Sequence, residues 1–274
     1  MATCGLVACT LDACAPALSS FTPAHVAAPG HVQAEVGTDV SVPRNTLADL
    51  YDITRALDRA AQNRTLTQTE QRQLLRGATS QLLNPLSANS HLGLGVGVYR
   101  NLEAQGRLFT GGWRLGARLQ FLSQPEHGLD ASVGLGVGRY SYSFGIPNIA
   151  DVLEIEDYGR WMVDVPVLVG KRGDWYRWWG GPKALLGTYR AGASLNLPAE
   201  NKSYGFDLRG TSGYVGAQLG GALGYKHLFF AAELSVMYFT TRARFTTNGV
   251  ALEPYEARID GLIWYPGVGL LGEF

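Results

Sequence analysis

Arginines and carboxylates recur at alternate positions within otherwise apolar stretches of this 274-residue chain. Arg114 and Arg118 lie four residues apart, and Arg160 and Asp164 share that spacing. Residues an even number of positions apart on a strand point to the same side, so these charges would collect on one face. A guanidinium group binds a carboxylate through two parallel hydrogen bonds. The spacing therefore indicates either a salt-bridged interior or a path for protons or small solutes.

The same parity argument assigns a set of charged residues to the inner face of a closed sheet. They are Glu35, Asp39, Glu103, Arg107, Arg114, Arg118, Arg160, Asp164, Arg190, Glu233 and Glu273. Acids and arginines nearly balance in this set. A narrow interior removes charges from water, so each charge there needs a partner. We expect these residues to fill and stabilise the interior as a charge network, with a conduction path as the alternative.

Catalytic chemistry finds little support in the sequence. Ser90 and His91 are adjacent, but neighbours on a strand point to opposite faces and cannot act together as nucleophile and base. His91 also has no acidic pair beside it in the sequence. The glycines of 93–97 and 134–138 alternate at strand spacing, which differs from a phosphate-binding loop. We predict a non-enzymatic protein without a cofactor or a metal.

The cysteines are confined to the N-terminal region, at Cys4, Cys9 and Cys14. This makes a disulfide framework or a zinc site improbable on composition. Leu6-Val7-Ala8-Cys9 matches the lipobox of bacterial lipoproteins, which makes Cys9 a lipidation candidate. Only eight residues precede Cys9, so either the natural chain begins further upstream or the match is coincidental. Residues 1–30 are interpreted as a truncated signal or lipobox region followed by a flexible, Ala-, Pro- and Ser-rich tether.

The composition favours membrane strands over other classes. Charged residues make up 17% of the chain, against about 25% in soluble domains, and 35 residues are glycine. The formal net charge is zero, which gives no electrostatic case for a nucleic-acid partner. No apolar run is long enough for a transmembrane helix. A chain of this kind that crosses a bilayer must do so as a closed barrel.

Alternating apolar and polar residues predict a series of strands from residue 31 onward. They are 31–42, 91–99, 102–108, 113–122, 131–144, 160–169, 175–197, 214–225, 228–238 and 259–274. Short links alternate with longer polar links at 145–158, 198–211 and 246–257, as in outer-membrane barrels with short periplasmic turns. The prediction is an all-β, antiparallel, up-and-down transmembrane barrel over 31–274 with ten strands. The alternative has eight strands, without 31–42 and with 102–108 in a loop.

Residues 46–83 interrupt the strand pattern. Leu47, Leu50 and Leu57 recur at helical spacing, and Thr67-Gln68-Thr69-Glu70 matches a capping box that opens a second helix. We predict a helical hairpin inserted after the first strand. Ten strands place it outside the cell, and eight strands place it in the periplasm.

Lys183 is a charged residue at a predicted lipid-facing position of its strand, whereas Arg190 falls on the other face of that strand. A lysine at the centre of a bilayer costs about 2–4 kcal/mol. Pro182 follows two glycines, and proline in a strand indicates a bulge or an edge. A bulge could rotate Lys183 inward, or its position could let the amine reach the membrane interface.

Two motifs resemble a known family. Asp164-Val165-Pro166-Val167-Leu168-Val169-Gly170-Lys171, followed after a short turn by Gly181-Pro182-Lys183, resembles the small outer-membrane β-barrels that include PorT-like and OmpA-like domains, over residues 90–274. The final segment, 267–274, resembles the C-terminal assembly signal that ends in an aromatic residue, here Phe274, although Gly272 departs from it. The resemblance implies a bacterial outer membrane, lipid contact and the barrel-assembly machinery as a partner. It supplies no catalytic residues.

Three functions agree with these features. We predict a structural or interaction component of the cell envelope, which binds envelope proteins through its outer loops or residues 46–83. The alternatives are a narrow channel or transporter for small solutes, and a subunit of a trans-envelope machine such as gliding motility or secretion.

Overall fold

A computed structural model describes residues 18–43, 83–84, 86–144, 153–197, 202–247 and 255–274 of the chain. In this part of the chain, ten antiparallel strands form a closed barrel. The strands are β1 (Val32–Pro43), β2 (Ser87–Tyr99), β3 (Leu102–Phe109), β4 (Gly112–Leu122), β5 (Asp130–Phe144), β6 (Leu153–Arg172), β7 (Tyr176–Leu197), β8 (Lys202–Tyr225), β9 (Leu228–Thr247) and β10 (Tyr255–Glu273). A short helix, α1 (Gln124–His127), connects β4 to β5. The ten-stranded prediction is confirmed, and the eight-stranded alternative is wrong.

The barrel closes where β1 pairs with β10 on one side and with β2 on the other. At this seam, Val32 and Phe274 exchange two backbone hydrogen bonds of 2.8 Å. The strand predicted at 31–42 is therefore the element that joins the last strand to the second. A closed ladder leaves no strand edge without a partner, which is the condition for crossing lipid as a sheet.

The two ends of the barrel differ in their connections. We call the end with the links after β2, β4, β6 and β8 the turn end, and the opposite end the loop end. Exposed aromatic residues surround the turn end, including Tyr99, Trp175, Tyr225 and Phe274. Exposed leucines and valines, such as Leu135 and Leu219, cover the outer wall between the ends. This distribution is that of a membrane-spanning barrel with an aromatic girdle at the interface.

The apolar wall has the height of a bilayer core. Exposed Trp178 and Thr188 lie ten residues apart on β7, near the lower and upper limits of the apolar wall. At about 3.3 Å per residue and a tilt of roughly 40°, ten residues cover about 25 Å. In the described ranges, no helix has the length and apolar character needed to cross a membrane.

The barrel wall is uneven in height. Strands β1–β5 have 8 to 15 residues, whereas β6–β10 have 19 to 24. The extra length occupies much of the predicted loops, since β8 begins at Lys202 and β9 continues to Thr247. These extensions carry polar residues on the outer face, so the sequence pattern does not distinguish them from loops. Cross-strand pairing with the neighbouring strands holds them in the sheet.

Two predicted features fall largely outside the described residues. Residues 1–17, which include Cys9, are one of them, and most of the predicted hairpin at 46–83 is the other. Of the hairpin, only Leu83 is described, and its side chain is fully buried.

Heat-modifiable migration tests barrel closure. Protein folded in detergent should migrate faster in SDS gels when it is not boiled, because a ladder without edges does not fray until heated. The matched control is the same protein denatured in urea before loading, which should migrate like the boiled sample. Equal mobility of boiled and unboiled folded protein would contradict a closed barrel.

Candidate functional site: the lumen and its plug segment

Residues 18–28 lie inside the barrel, and we call them the plug segment. Leu18, Phe21 and Ala24 in this segment are almost fully buried. The segment descends from the middle of the lumen to the turn end and reverses at 29–31 to begin β1. Gly30 makes the reversal possible, because its φ of +80° lies in the left-handed region that favours glycine. The tether prediction is wrong for these residues, since wall side chains bind their backbone.

The upper part of the plug segment is held by two carboxylates. Asp39 Oδ2 accepts hydrogen bonds of 2.9 Å from the backbone amides of Leu18 and Ser19. Glu233 Oε1 accepts one of 3.0 Å from the amide of Ser20. Asp39 and Glu233 lie on β1 and β9, so strands from different sides of the seam bind the same short segment. Charge-assisted bonds of this type are about twice as strong as neutral ones.

Basic side chains bind the carbonyl groups of the same residues. Arg107 donates from Nη1 to the Ser19 carbonyl at 2.8 Å and from Nη2 to the Ser20 carbonyl at 2.9 Å. Lys183 Nζ donates to the Leu18 carbonyl. Arg107 also forms an ion pair with Glu35. The upper plug segment is therefore held through its donors and its acceptors together.

Arg118 and Glu103 hold the lower part of the plug segment. Arg118 donates to the carbonyls of Pro23 and His25, the latter at 2.7 Å, and forms an ion pair with Glu103 at 3.1 Å. Glu103 accepts a 2.7 Å hydrogen bond from the amide of Ala27. Both side chains are at most 1% exposed. An ion pair this deeply buried is favourable only when further hydrogen bonds satisfy it, and the plug backbone provides them.

Two further contacts complete the lower anchor. The amide of Val26 donates to Gln120 Oε1 at 2.9 Å. His25 Nε2 lies 3.1 Å from Glu273 Oε1, and Arg177 binds the same carboxylate through two hydrogen bonds of 3.2 and 2.7 Å. The last strand is thereby connected to the plug segment.

Phe21 provides the apolar contact of the plug segment. Its ring stacks on His91 with a centroid distance of 5.2 Å. A Cβ atom at Gly37 would lie 2.2 Å from the ring, and one at Gly269 would lie 2.9 Å from it. Glycine at these two wall positions therefore leaves the hollow that the ring occupies. Phe21 and Ala24 belong to one buried cluster with Trp179, Phe229 and Leu271 of the wall.

A second set of wall charges pairs without the plug segment. Arg114 binds Asp164 through two hydrogen bonds of 2.6 and 2.7 Å. Arg160 donates to the hydroxyl groups of Ser212 at 2.7 Å and Tyr214 at 2.6 Å. Glu233 also accepts a 2.9 Å hydrogen bond from Trp179 Nε1. The lumen thus combines plug anchors with links between strands.

The structure places ten of the eleven predicted charges inside the barrel, and Arg190 is the exception. Its side chain is exposed on the outer face, so that prediction was wrong. Lys183 is buried in the lumen, which corrects its predicted lipid-facing position. The inward residues of β7 are the odd-numbered ones, such as Arg177 and Trp179, and sequence reasoning missed the role of Arg177. Adjacent aromatics at 175–179 hide the alternation that would have shown this parity.

The upper lumen differs in chemistry from the charged lower lumen. Its wall carries a cluster of buried apolar and aromatic residues that includes Tyr189, Tyr214, Phe239, Ile259 and Ile263. Leu83 belongs to the same cluster. Asn84 Oδ1 accepts a 2.7 Å hydrogen bond from the Tyr214 hydroxyl. Leu83 and Asn84 therefore lie inside the upper lumen, a position that the sequence pattern did not indicate.

Catalytic geometry is not assembled around His91. Both ring nitrogens are buried without a hydrogen-bond partner, and the ring is covered by Phe21. Ser90 is exposed on the opposite face, where its hydroxyl lies 3.1 Å from Thr38 Oγ1. Within the ranges that the structure describes, no group of three or more His, Cys, Asp or Glu residues could hold a metal ion.

The lower lumen leaves little open space. A cavity of about 20 Å³ lies between Phe21 of the plug segment and wall residues that include Glu35 and Arg107. A single buried water needs roughly 10–15 Å³, so this cavity accommodates about one water molecule. A cavity of this size is too small for a hydrated solute.

Comparisons with known proteins find similarity to solved structures only at low identity and low TM-score. No family model matches the chain, and no curated protein sequence matches it significantly. Ail, the attachment invasion locus protein of Yersinia pestis, is 12% identical, with coverage of 90% of this chain and 99% of that chain and a TM-score of 0.31. OprG from Pseudomonas aeruginosa is 12% identical, with coverage of 92% and 99% and a TM-score of 0.34. The outer membrane protease OmpT from Escherichia coli is 10% identical, with coverage of 90% and 97% and a TM-score of 0.38.

The class of protein follows from the barrel itself. A closed antiparallel ladder, an apolar outer wall and an aromatic girdle define a transmembrane β-barrel of the bacterial outer membrane. Identities and TM-scores this low do not assign the chain to a family, so its resemblance to PorT-like and OmpA-like barrels stays a prediction.

The Arg118–Glu103 pair provides the sharpest test of the charge network. Arg118→Met leaves Glu103 as an unpaired buried charge and removes the bonds to Pro23 and His25, so we expect a loss of about 3–5 kcal/mol in unfolding free energy. Adding Glu103→Gln should recover part of this loss. Urea titration followed by tryptophan fluorescence in lipid vesicles measures both effects.

Lys171→Met is the matched control, because Lys171 is an exposed cation at the turn end. This substitution should change the unfolding free energy by no more than about 0.5 kcal/mol. Equal stability of the Arg118→Met and Lys171→Met proteins would show that the buried network does not stabilise the barrel.

Proposed function

We propose that this barrel is a sealed, non-enzymatic component of the outer membrane that serves a structural or interaction role. The observation that supports it is the plug segment, which occupies the lower lumen and is bound at both its donors and its acceptors. A channel needs ligands that release the solute, whereas here the polar groups of the wall bind the protein's own backbone. The charges of the wall are therefore used for packing and anchoring.

The anchors of the plug segment support a sealed resting state. Hydrogen bonds to charged groups contribute about 1.5–3 kcal/mol each when they are well formed. Withdrawing the segment would break those to Asp39, Glu103, Arg107, Arg118 and Glu233 together. The Arg107–Glu35 and Arg118–Glu103 ion pairs would remain, but Asp39 would lose both of its hydrogen bonds to the segment, and water would have to replace all the lost bonds. Spontaneous opening should accordingly be rare.

The contact surfaces in this proposal lie at the loop end, where the outer loops and residues 46–83 would meet envelope partners. The C-terminal strand would contact the barrel-assembly machinery during insertion. There the Phe274 side chain is 62% exposed on the outer wall, and its ring stacks on His227 at 5.8 Å. Lipidation at Cys9 stays a prediction of the sequence.

Single-channel recording tests the sealed lumen. The wild-type protein in planar bilayers should give no steady conductance. Deletion of residues 18–28 should give discrete conductance steps, because it empties the lower lumen. Heat-modifiable migration of the deletion protein establishes that the barrel has folded.

A second variant covers the case in which the deletion protein does not fold. Asp39→Asn combined with Glu233→Gln removes both carboxylate charges that hold the upper plug segment, and it should increase brief openings. Glu126→Gln is the control, because this acid lies exposed on α1 and outside the lumen. Steady conductance from the wild-type protein would replace the sealed barrel with the channel alternative.

A further inference from the structure

Exposed arginines are concentrated on the outer wall at the loop end. Arg190, Arg209, Arg242 and Arg258 form what we call the arginine patch, on β7, β8, β9 and β10. Arg190 is the register partner of Arg209, and Arg242 is the register partner of Arg258. Among the described side chains that face outward at this end of β7–β10, the arginines outnumber the acids Asp207 and Asp260.

The arginine patch places like charges opposite each other on paired strands, which is unfavourable for the sheet unless an anion binds between them. Side chains directly opposite each other on antiparallel strands have Cβ atoms about 4.5–5.5 Å apart, and like charges at this distance destabilise the sheet. No ion pair involves these four arginines within the described ranges. Asp207 and Asp260 share the outward face, and Asp260 accepts a 2.7 Å hydrogen bond from the Tyr238 hydroxyl. Positive charge remains in excess.

The patch lies at the upper limit of the apolar wall. Leu186 is 70% exposed and lies four residues below Arg190 on β7, a distance of about 13 Å along the strand. On β9, Tyr238 is 44% exposed and lies four residues below Arg242. Arg242 is the register partner of Thr211, which pairs with Thr188, and Thr188 pairs in turn with the exposed Trp161. Cationic groups thus lie directly above side chains suited to acyl chains.

We propose that the arginine patch binds the phosphate groups of an anionic phosphorylated lipid in the adjacent membrane leaflet. Guanidinium groups bind phosphate oxygens through paired hydrogen bonds, and Arg is favoured over Lys for this geometry. The acyl chains of the same lipid would cover Leu186, Val215 and Tyr238 below. Barrels of this class have their longer loops outside the cell, so the leaflet is the outer one. The site does not depend on whether the lumen is sealed.

The position of the patch favours a lipid over a soluble anion. The arginines lie on the side of the wall and not at the tips of the loops, so a ligand must approach through the membrane interface. A free phosphate would use the cations alone and leave the exposed apolar surface below without a role. Arg244 is the register partner of Arg209 on one side and of Glu256 on the other, and it is omitted from the patch because of the acidic partner.

Native mass spectrometry of protein released from nanodiscs tests the proposal. Nanodiscs of phosphatidylcholine are supplemented with diphosphoryl lipid A or with its phosphate-free form. Wild-type protein should retain the diphosphoryl form and should not enrich the phosphate-free form. Arg190→Gln with Arg209→Gln should weaken retention by about 25-fold, at roughly fivefold per cation removed from an anionic headgroup layer.

The controls separate charge, position and folding. Lys171→Gln with Lys226→Gln removes two exposed cations at the turn end and should leave retention unchanged. Arg190→Lys with Arg209→Lys should retain more lipid than the glutamine variant and less than the wild type, because lysine keeps the charge but loses the paired hydrogen bonds. If the glutamine variant does not fold, the wild-type comparison of the two lipids and its decrease at high salt decide the question. Equal retention of both lipids would overturn the proposal. Complete displacement of the lipid by inorganic phosphate would also overturn it, since the site would then bind a soluble anion.

Discussion

Every peptide group in the hydrocarbon core must find its hydrogen-bond partner within the protein, because lipid tails provide none. The pairing of β1 with β10 satisfies this requirement for the barrel, since it converts a ten-stranded sheet with two edges into a closed ladder. Closure then determines the chemistry of both surfaces. Alternate side chains point outward to lipid, and the others point into a lumen that is too narrow to hydrate charges freely.

The lumen meets this constraint in two ways along its length. In the lower half, charged wall residues bind the backbone of the plug segment, so its amides and carbonyls take the place of water. In the upper half, aromatic and apolar side chains fill the interior, and Arg160 is satisfied by Ser212 and Tyr214. A backbone segment is well suited to a mixed-charge wall, because each residue offers one donor and one acceptor. This explains how acids and arginines from β1, β3, β4 and β9 can converge on the same short stretch.

The positions of the arginines on the outer wall also follow from the pairing of the strands. The taller half of the barrel raises polar strand ends above the apolar belt, and there arginines from four strands come together. Their concentration is a product of register, because Arg190 and Arg209 are 19 positions apart in sequence yet are directly paired. The grouping of these arginines on one face therefore arises from strand parity and register and not from composition.

Alternation alone indicated that this chain forms membrane strands and which side of most strands is polar, because the period of two is a local property of an extended chain. Ten of the eleven lumen charges were predictable for that reason. The sequence favoured ten strands but left eight as an alternative, and the pairing of β1 into the closed barrel decided the number. Local pattern failed at β7, where adjacent aromatics concealed the parity, and so Arg190 and Lys183 were assigned to the wrong faces. It also failed for the plug segment and the tall strand ends. An Ala-, Pro- and Ser-rich stretch has no period of its own, and only distant partners such as Asp39, Glu103 and Arg118 hold it in place. Such contacts join residues far apart in sequence, and the closed barrel alone brings them within hydrogen-bond distance.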